Sequence, residues 1–416
     1  MATPDHTKPD LLQGIRVLDW SQFYAAPGAG ALLGDMGAEV ILIEQPGGDP
    51  TRQMTRVGGT DFSLPRDRNV LFEAVGRNKK SIVVDITREK GREVIERLVA
   101  RSDVLHTNFR RPTLAKLQME YETLSRINPR LIYSRVSGFG PRGPLRDQGG
   151  FDFIVQGFSG MMKAMGDETS DLAPPLTLII DQATSMMAAS AVVAALFHRE
   201  RTGRGQELHT SLLGTTVSLL YFHYLSVFLS GQEVKKHSRT SPGNLLRNYY
   251  RCADGKWIIC AHNPPERYWE RFCRAVGLDN LVTHPAAAEG GSRKAHPDEL
   301  VAVLDRQFAT RPQAEWLRIA EQHDLFFAPV NTVPEAASEP QVLENFVERV
   351  AHRDLGEVPY PGFCTEFGDA EVRPRGAAPR LGEHTDEILR EAAGYTDREV
   401  ETLRAEGVVG TKETGQ

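Results

Sequence analysis

Ile15-Arg-Val-Leu-Asp19, then Gly28-Ala-Gly30-Ala-Leu-Leu-Gly34 leading through Met36, then Glu39-Val-Ile-Leu-Ile-Glu44 decide the fold. A short apolar run, a helix start rich in small residues and a second apolar run within thirty residues are the signature of a β-α-β unit. The pattern recurs. Ser81-Ile-Val-Val-Asp85 reads as a strand, Arg88–Ser102 as a helix with Val94, Ile95, Leu98 and Val99 on one face, and Asp103-Val-Leu-His106 as a further strand. Leu131–Val136, ending at Gly138, continues the series. Such repetition predicts an α/β fold with a mostly parallel sheet covered by helices. Sheets of this kind hold ligands beyond the C-terminal ends of their strands, so the loops after Asp19, Glu44, Asp85, His106 and Gly138 are the expected site.

From about 225 the pattern changes. Tyr249–Cys260 reads as a hairpin turning at Asp254-Gly255, followed by helices over 265–276, 297–309 and 313–323. Proline and glycine then dominate from 325 to 383, before a helical pair over 385–393 and 396–406. The expected organisation is a large α/β domain from 1–224, a smaller α+β domain from 225–330, and a return segment, 331–416, completing the large domain.

The 416 residues carry a net charge of −6, with 40% hydrophobic and 25% charged residues. This is an ordinary globular composition, and the acidic balance argues against nucleic acid or an anionic membrane as partner. Cys252, Cys260, Cys273 and Cys364 show no paired metal-ligand spacing, so no metal is expected. The first six residues lack the charge-then-apolar order of a signal peptide, and Met186–Phe197 is shorter than the roughly 18 residues of a membrane span. A cytoplasmic protein is expected.

Asp181 stands between the apolar Leu176–Ile180 run and a helix rich in alanine, ending in Arg201-Thr-Gly-Arg-Gly-Gln206. An aspartate there is either an N-cap or a reactive acid held by the helix start. The Gly28–Gly34 turn resembles a dinucleotide fingerprint with the wrong third spacing, and close helix–sheet packing explains its glycines as well. Arg77-Asn-Lys-Lys80 and Arg110-Arg111 with Lys116 are either solvated faces or anion-holding clusters. His106 and His223 lie in apolar strings, as core histidines do.

These segments, in this order, resemble the class III coenzyme A transferase family, which includes formyl-CoA transferases, carnitine CoA-transferases and α-methylacyl-CoA racemases. The resemblance rests on Ile15–Asp19 and Gly34–Glu44, Asn78–Ile82, Asp103–Arg110, Asn128–Tyr133, Ser137-Gly-Phe-Gly-Pro141, Arg201–Gln206 and Pro379–Thr385. It implies a Rossmann-like large domain built from both ends of the chain, an inserted smaller domain, and a homodimer of interlocked rings. It further implies that Asp181 is the nucleophile, with no permanently bound cofactor and a coenzyme A thioester as substrate. Family coenzyme A contacts fall on Tyr24, Ala25, Gln45, Val84, Asp85, Ile86, Thr87, Asn108, Phe109, Arg110, Lys116, Gln148, Gly149, Gly150 and Phe151.

Departures narrow the substrate. Gln45 and Tyr24 replace an arginine and a glutamine of the formyl-CoA branch, and Ser241-Pro-Gly-Asn244 lacks that branch's glycine-rich flap. Phe151 stands where racemases carry a histidine, which removes the second base that racemisation needs. The resemblance therefore implies transfer of coenzyme A from a donor acyl-CoA, succinyl- or acetyl-CoA, to a carboxylic acid through aspartyl anhydride and thioester intermediates. A racemase-type isomerase and one subunit of a heteromeric transferase remain the alternatives. An NAD-linked oxidoreductase and a non-catalytic scaffold are rivals from other classes. Backbone amides near Asp181 and in the Ser241–Asn244 loop are the expected oxyanion donors, and Trp20, Phe23, Tyr24, Phe151 and Phe153 suggest an acid larger than formate or oxalate.

Overall fold

The structure is a computed structural model that describes residues 8–174, 176–283 and 297–410. The N-terminal stretch read for a signal peptide lies outside the described residues. Among them the chain divides into two compact units, one of 1–162, 174–232 and 344–416, the other of 163–173 and 233–343.

The first unit is organised by a six-stranded sheet. Its strands are β1 (Arg16–Trp20), β2 (Glu39–Glu44), β3 (Lys79–Val83), β4 (Val104–Thr107), β5 (Ile132–Ser137) and β6 (Gln206–Ser211). They lie in the order β6-β5-β4-β1-β2-β3, and every pairing is parallel. The sheet is thus the expected α/β one, with β6 added, a strand whose polar sequence hid it. Alternation along each strand divides the residues between two faces. Leu18, Ile41, Ile82, Leu105 and Tyr133 join the core formed with Val94, Ile95 and Leu98 of helix α2 (Glu89–Val99). Ile388, Leu389, Val400 and Leu403 enter this same core from the far end of the chain. Backbone bonds fasten that end to β3: His384 N–H donates to Ser81 O at 2.9 Å and Gly410 N–H to Val83 O at 3.0 Å.

The opposite face carries helices α1 (Ala25–Asp35) and α5 (Ile179–Thr202), which pack against each other. The glycines of α1 make that closeness possible. A Cβ on Gly28 would collide with Ser185 Oγ, and one on Gly34 would come 2.9 Å from the Asn78 side chain. These contacts match the close packing that the Gly28–Gly34 spacing suggested. By length and composition α5 is long and apolar enough to cross a membrane, longer than Met186–Phe197 suggested. Its buried Ile180, Thr184, Ala188, Val192 and Leu196 instead mark a packed stripe.

The basic run Arg77–Lys80 is not an anion site, because each cation already has a carboxylate. Arg77 pairs with Asp35 at 2.6 Å, Lys80 with Glu39 and Glu387 at 3.0 and 2.7 Å, and fully buried Lys79 with Asp19 at 2.6 Å. His106 is a satisfied core histidine, its ring nitrogens 3.0 Å from Ser134 Oγ and from Ala26 O. His223 is not: it sits half-buried on helix α6 (Tyr221–Ser230), which has no buried residue in this chain.

In the second unit Arg247–Arg251 and Trp257–Ala261 form the expected antiparallel hairpin, joined by Phe327–Pro329. Helices Pro265–Ala275, Pro297–Phe308 and Gln313–Gln322 close its core around Tyr250, Phe272, Phe308 and Trp316. The Pro- and Gly-rich segment that follows holds a hairpin, Val347–His352 with Gly356–Pro361, in the first unit. Residues 225–232 belong to the first unit and 331–343 to the second, where the sequence suggested boundaries at 225 and 331.

Candidate active site

Beyond the C-terminal ends of β1, β4 and β5 opens a cleft of about 530 Å³. Asp181 lies on its wall, where the start of α5 meets the start of α1. Asp181 is not the N-cap. The Leu176–Ile180 run is a turn that enters the helix, Leu178 takes the cap position at φ 63°, and Asp181 is the third helical residue. A left-handed leucine costs roughly 1 kcal/mol, so something must hold the turn.

Asp152 does so. It begins helix α4 (Asp152–Phe158) and is itself 5% exposed. Its Oδ2 accepts the amide hydrogens of Ile180 at 2.7 Å and Asp181 at 3.1 Å, and Oδ1 accepts from Gln156 Nε2. The capping carboxylate comes from a different helix, which leaves the Asp181 side chain free to face the cleft. Ser185 secures the same turn by donating to Ala25 O at 2.8 Å and sharing its hydrogen with Asp181 O at 3.0 Å.

No side-chain hydrogen bond holds the Asp181 carboxylate among the described residues. Burial, reinforced by the nearby Asp152 charge, pushes its pKa up to about 7. The amides of Ile180 and Asp181 are occupied by Asp152, and Gln182 N–H donates to Leu178 O at 3.0 Å. Those amides are therefore not open oxyanion donors. The Ser241–Asn244 loop belongs to the second unit.

The expected contact residues divide between two clefts. Tyr24, Ala25, Asn108, Phe109 and Arg110 line the first with Asp181, as do Gln148, Gly149, Gly150 and Phe151. Gln45, Val84, Ile86 and Thr87 line a second, of about 190 Å³, which shares Gln22, Phe109 and Thr113 with the first. Asp85 and Lys116, the latter on helix α3 (Arg111–Leu117), line neither; Asp85 is engaged with Thr87 and Arg88. The 146–151 loop approaches β5 closely, and a Cβ on Gly138 would stand 2.7 Å from Gly150 Cα. Phe23 and Phe151 meet edge to face at 5.5 Å on the same wall, Trp20 lines the second cleft, and exposed Phe153 lines neither.

Residue-by-residue reading missed Arg135, Ser137 and His209. The first two line the cleft, and His209 bonds both, to Arg135 Nη2 at 3.0 Å and Ser137 Oγ at 2.9 Å. The only signal available was an arginine and a histidine at inward positions of strands, where apolar residues are usual.

A sequence profile of CoA-transferase family III matches residues 12–385. Succinyl-CoA:glutarate CoA-transferase of Mus musculus is 32% identical over 413 residues, covering 99% of this chain and 92% of that protein. The beta subunit of succinyl-CoA–L-malate CoA-transferase from Chloroflexus aurantiacus is 31% identical, covering 96% and 98%. A crystal structure of a CAIB/BAIF family protein from Brucella suis superposes with a TM-score of 0.81 at 28% identity, covering 92% of this chain and 100% of that one.

Proposed function

The chain belongs to CoA-transferase family III and is a CoA-transferase, and on that premise we propose that it exchanges coenzyme A between carboxylic acids through covalent intermediates on Asp181. The supporting observation is the unpaired carboxylate in the first cleft, on a helix turn whose backbone amides Asp152 caps.

An Asp181 oxygen attacks the thioester carbonyl of the donor, the C–S bond breaks, and coenzyme A leaves as thiolate. The mixed anhydride so formed is attacked by that thiolate at the aspartyl carbonyl, releasing the donor acid and leaving an aspartyl thioester. The acceptor carboxylate then attacks this thioester, expels the thiolate and forms a second anhydride. Attack of the thiolate at the acceptor's own carbonyl yields the new acyl-CoA and frees Asp181. Every stage retains the activation of the starting thioester in an anhydride or thioester bond, which hydrolysis would discard. The aromatic wall of Phe23, Tyr24 and Phe151 limits water around these intermediates.

The first cleft takes the acyl group and thioester, and the second, with Gln45, Val84, Ile86 and Thr87, the adenosine end. Succinyl- or acetyl-CoA serves as donor. Phe151 offers no proton carrier facing Asp181, which disfavours racemisation. The active protein is a cytoplasmic homodimer of interlocked chains. In its favour, α6 exposes Phe222, Phe228 and Leu229 at 78%, 74% and 78%, an apolar surface that a second chain would cover. A homologous partner subunit would cover it equally well, and sizing chromatography with assay of the purified chain separates the two.

Borohydride reduction or hydroxylamine trapping during turnover, followed by peptide mass spectrometry, tests the nucleophile. Modification is expected at Asp181 and to vanish in Asp181→Ala; turnover by that variant would refute the assignment.

A further inference from the structure

Arg135 is a buried cation without a counter-charge. It is 3% exposed, lies on β5 and lines the cleft that contains Asp181. Other arginines withdrawn from water grip carboxylates: Arg52 holds Glu44, Arg68 holds Glu73 and Asp354, Arg77 holds Asp35, and Arg199 holds Asp103. Arg135 forms no ion pair among the described residues, and its Nε is buried with no partner. Glu207 and Asp147 act on it only from beyond ion-pair distance.

Among the described residues its one side-chain partner is His209. A guanidinium can only donate, so His209 Nδ1 must accept, and the ring proton resides on Nε2, which donates to Ser137 Oγ. The ring is therefore neutral. Burial, with Arg135 and Arg111 nearby, holds its pKa down at about 4. His209 aims the guanidinium but cannot offset its charge. Among the described residues Arg111, on the same cleft, has only the Pro141 carbonyl at 3.3 Å. Burying a cation is costly unless an anion meets it, and Arg135 and Arg111 both line a ligand cleft.

We propose that Arg135, with Arg111 beside it, receives a second, free carboxylate on the acyl substrate, so that the enzyme works on dicarboxylic acids and their mono-CoA thioesters. This rests on the cleft being the acyl-transfer site. The planar fork of Arg135 matches two carboxylate oxygens, and His209 fixes its orientation before substrate arrives. A phosphate of coenzyme A offers related oxygens, and the test separates the two sources.

Transfer from succinyl-CoA to glutarate is compared with transfer from butyryl-CoA to valerate in wild type, Arg135→Met and Arg135→Lys. Arg135→Met is expected to lower kcat/KM at least about 30-fold for the dicarboxylic pair and less than about threefold for the monocarboxylic pair, with partial recovery in Arg135→Lys. Inhibition by coenzyme A and by 3′-dephospho-coenzyme A should be unchanged. Equal losses for both pairs, or no loss, would overturn the proposal, as would a loss confined to coenzyme A inhibition, which would assign the anion to a phosphate. Should Arg135→Met not fold, wild type alone decides: no preference for dicarboxylic over monocarboxylic acids refutes the subsite while leaving Asp181 chemistry intact. A wild type that transfers to neither acid refutes the transfer reading instead, and calorimetry with glutarate against valerate then still reads the subsite.

Discussion

Asp152 Oδ2 accepts the backbone N–H of Asp181 at 3.1 Å, so one carboxylate caps the helix from which the other projects. The two acids divide two tasks that a single N-terminal aspartate would have to combine. Asp152 satisfies orphan amides; Asp181 keeps its oxygens for the cleft. The arrangement also places two negative charges near each other, and this has consequences that can be measured.

Activity should depend on pH through Asp181. Its pKa is raised to about 7 by burial and then by Asp152, and only the ionised form attacks. Below that value kcat/KM should fall about tenfold per pH unit, and above it reach a plateau. Asp152→Asn keeps an acceptor for the cap and removes the charge, so the inflection should move to lower pH. A pH–rate profile of both proteins checks this, and an unmoved inflection would dissociate Asp152 from the titration.

Stability should carry the opposite signature. A carboxyl group whose pKa is higher folded than unfolded (about 3.9) binds more protons in the folded state between those values. Stability from this group is therefore present below about pH 4 and is lost as pH rises toward 7. Asp181→Asn removes the penalty, and its Tm should exceed that of wild type by about 2 °C or more at pH 8, with a smaller gain at pH 5. Calorimetry at the two pH values is the measurement.

Gly28→Ala should disturb the α1–α5 contact. The new methyl group meets Ser185 Oγ, which tethers Ala25 O to the Asp181 turn. A stability loss of about 1–3 kcal/mol is expected from overpacking. Activity should fall further than stability accounts for, and Ser185→Ala in the same chain should recover part of the stability, because the colliding hydroxyl is gone. Urea titration and a transfer assay read the two effects.

Lys79→Ala should be among the most destabilising changes at the α1 face of the sheet. The ammonium is fully buried, 2.6 Å from Asp19 Oδ2 and 2.7 Å from Pro27 O. Its removal leaves Asp19 charged and buried without a counter-ion, at a cost of about 3–5 kcal/mol. Lys79→Met with Asp19→Asn should lose less than Lys79→Ala alone, as followed by denaturant unfolding.

Much of the fold is written in local pattern. Leu18, Ile41, Ile82 and Leu105 recur in short apolar runs separated by helical ones, and alternation is enough to predict a covered parallel sheet. The β6 strand escaped because Glu207, His209 and Ser211 alternate with few apolar neighbours. The hairpin at 347–361 was hidden by prolines that suit the exposed positions of a two-stranded ribbon.

Asp181 stood out as an acid at a helix start, and its identity and approximate place were legible. Its freedom was not. Whether an aspartate is a cap or a nucleophile depends on whether another group takes the amides, and that group lies 29 residues away in the chain. Likewise Lys79 and Arg135 are both basic residues on strands, yet one is neutralised by Asp19, 60 residues earlier, and the other meets only a neutral His209, 74 residues later. Sequence by itself determined the alternation of strand and helix and the chemical kinds of side chain available, because both arise from neighbours along the chain. Tertiary structure alone decided which charges are spent on one another and which are left for a ligand, because electrostatic compensation acts through space.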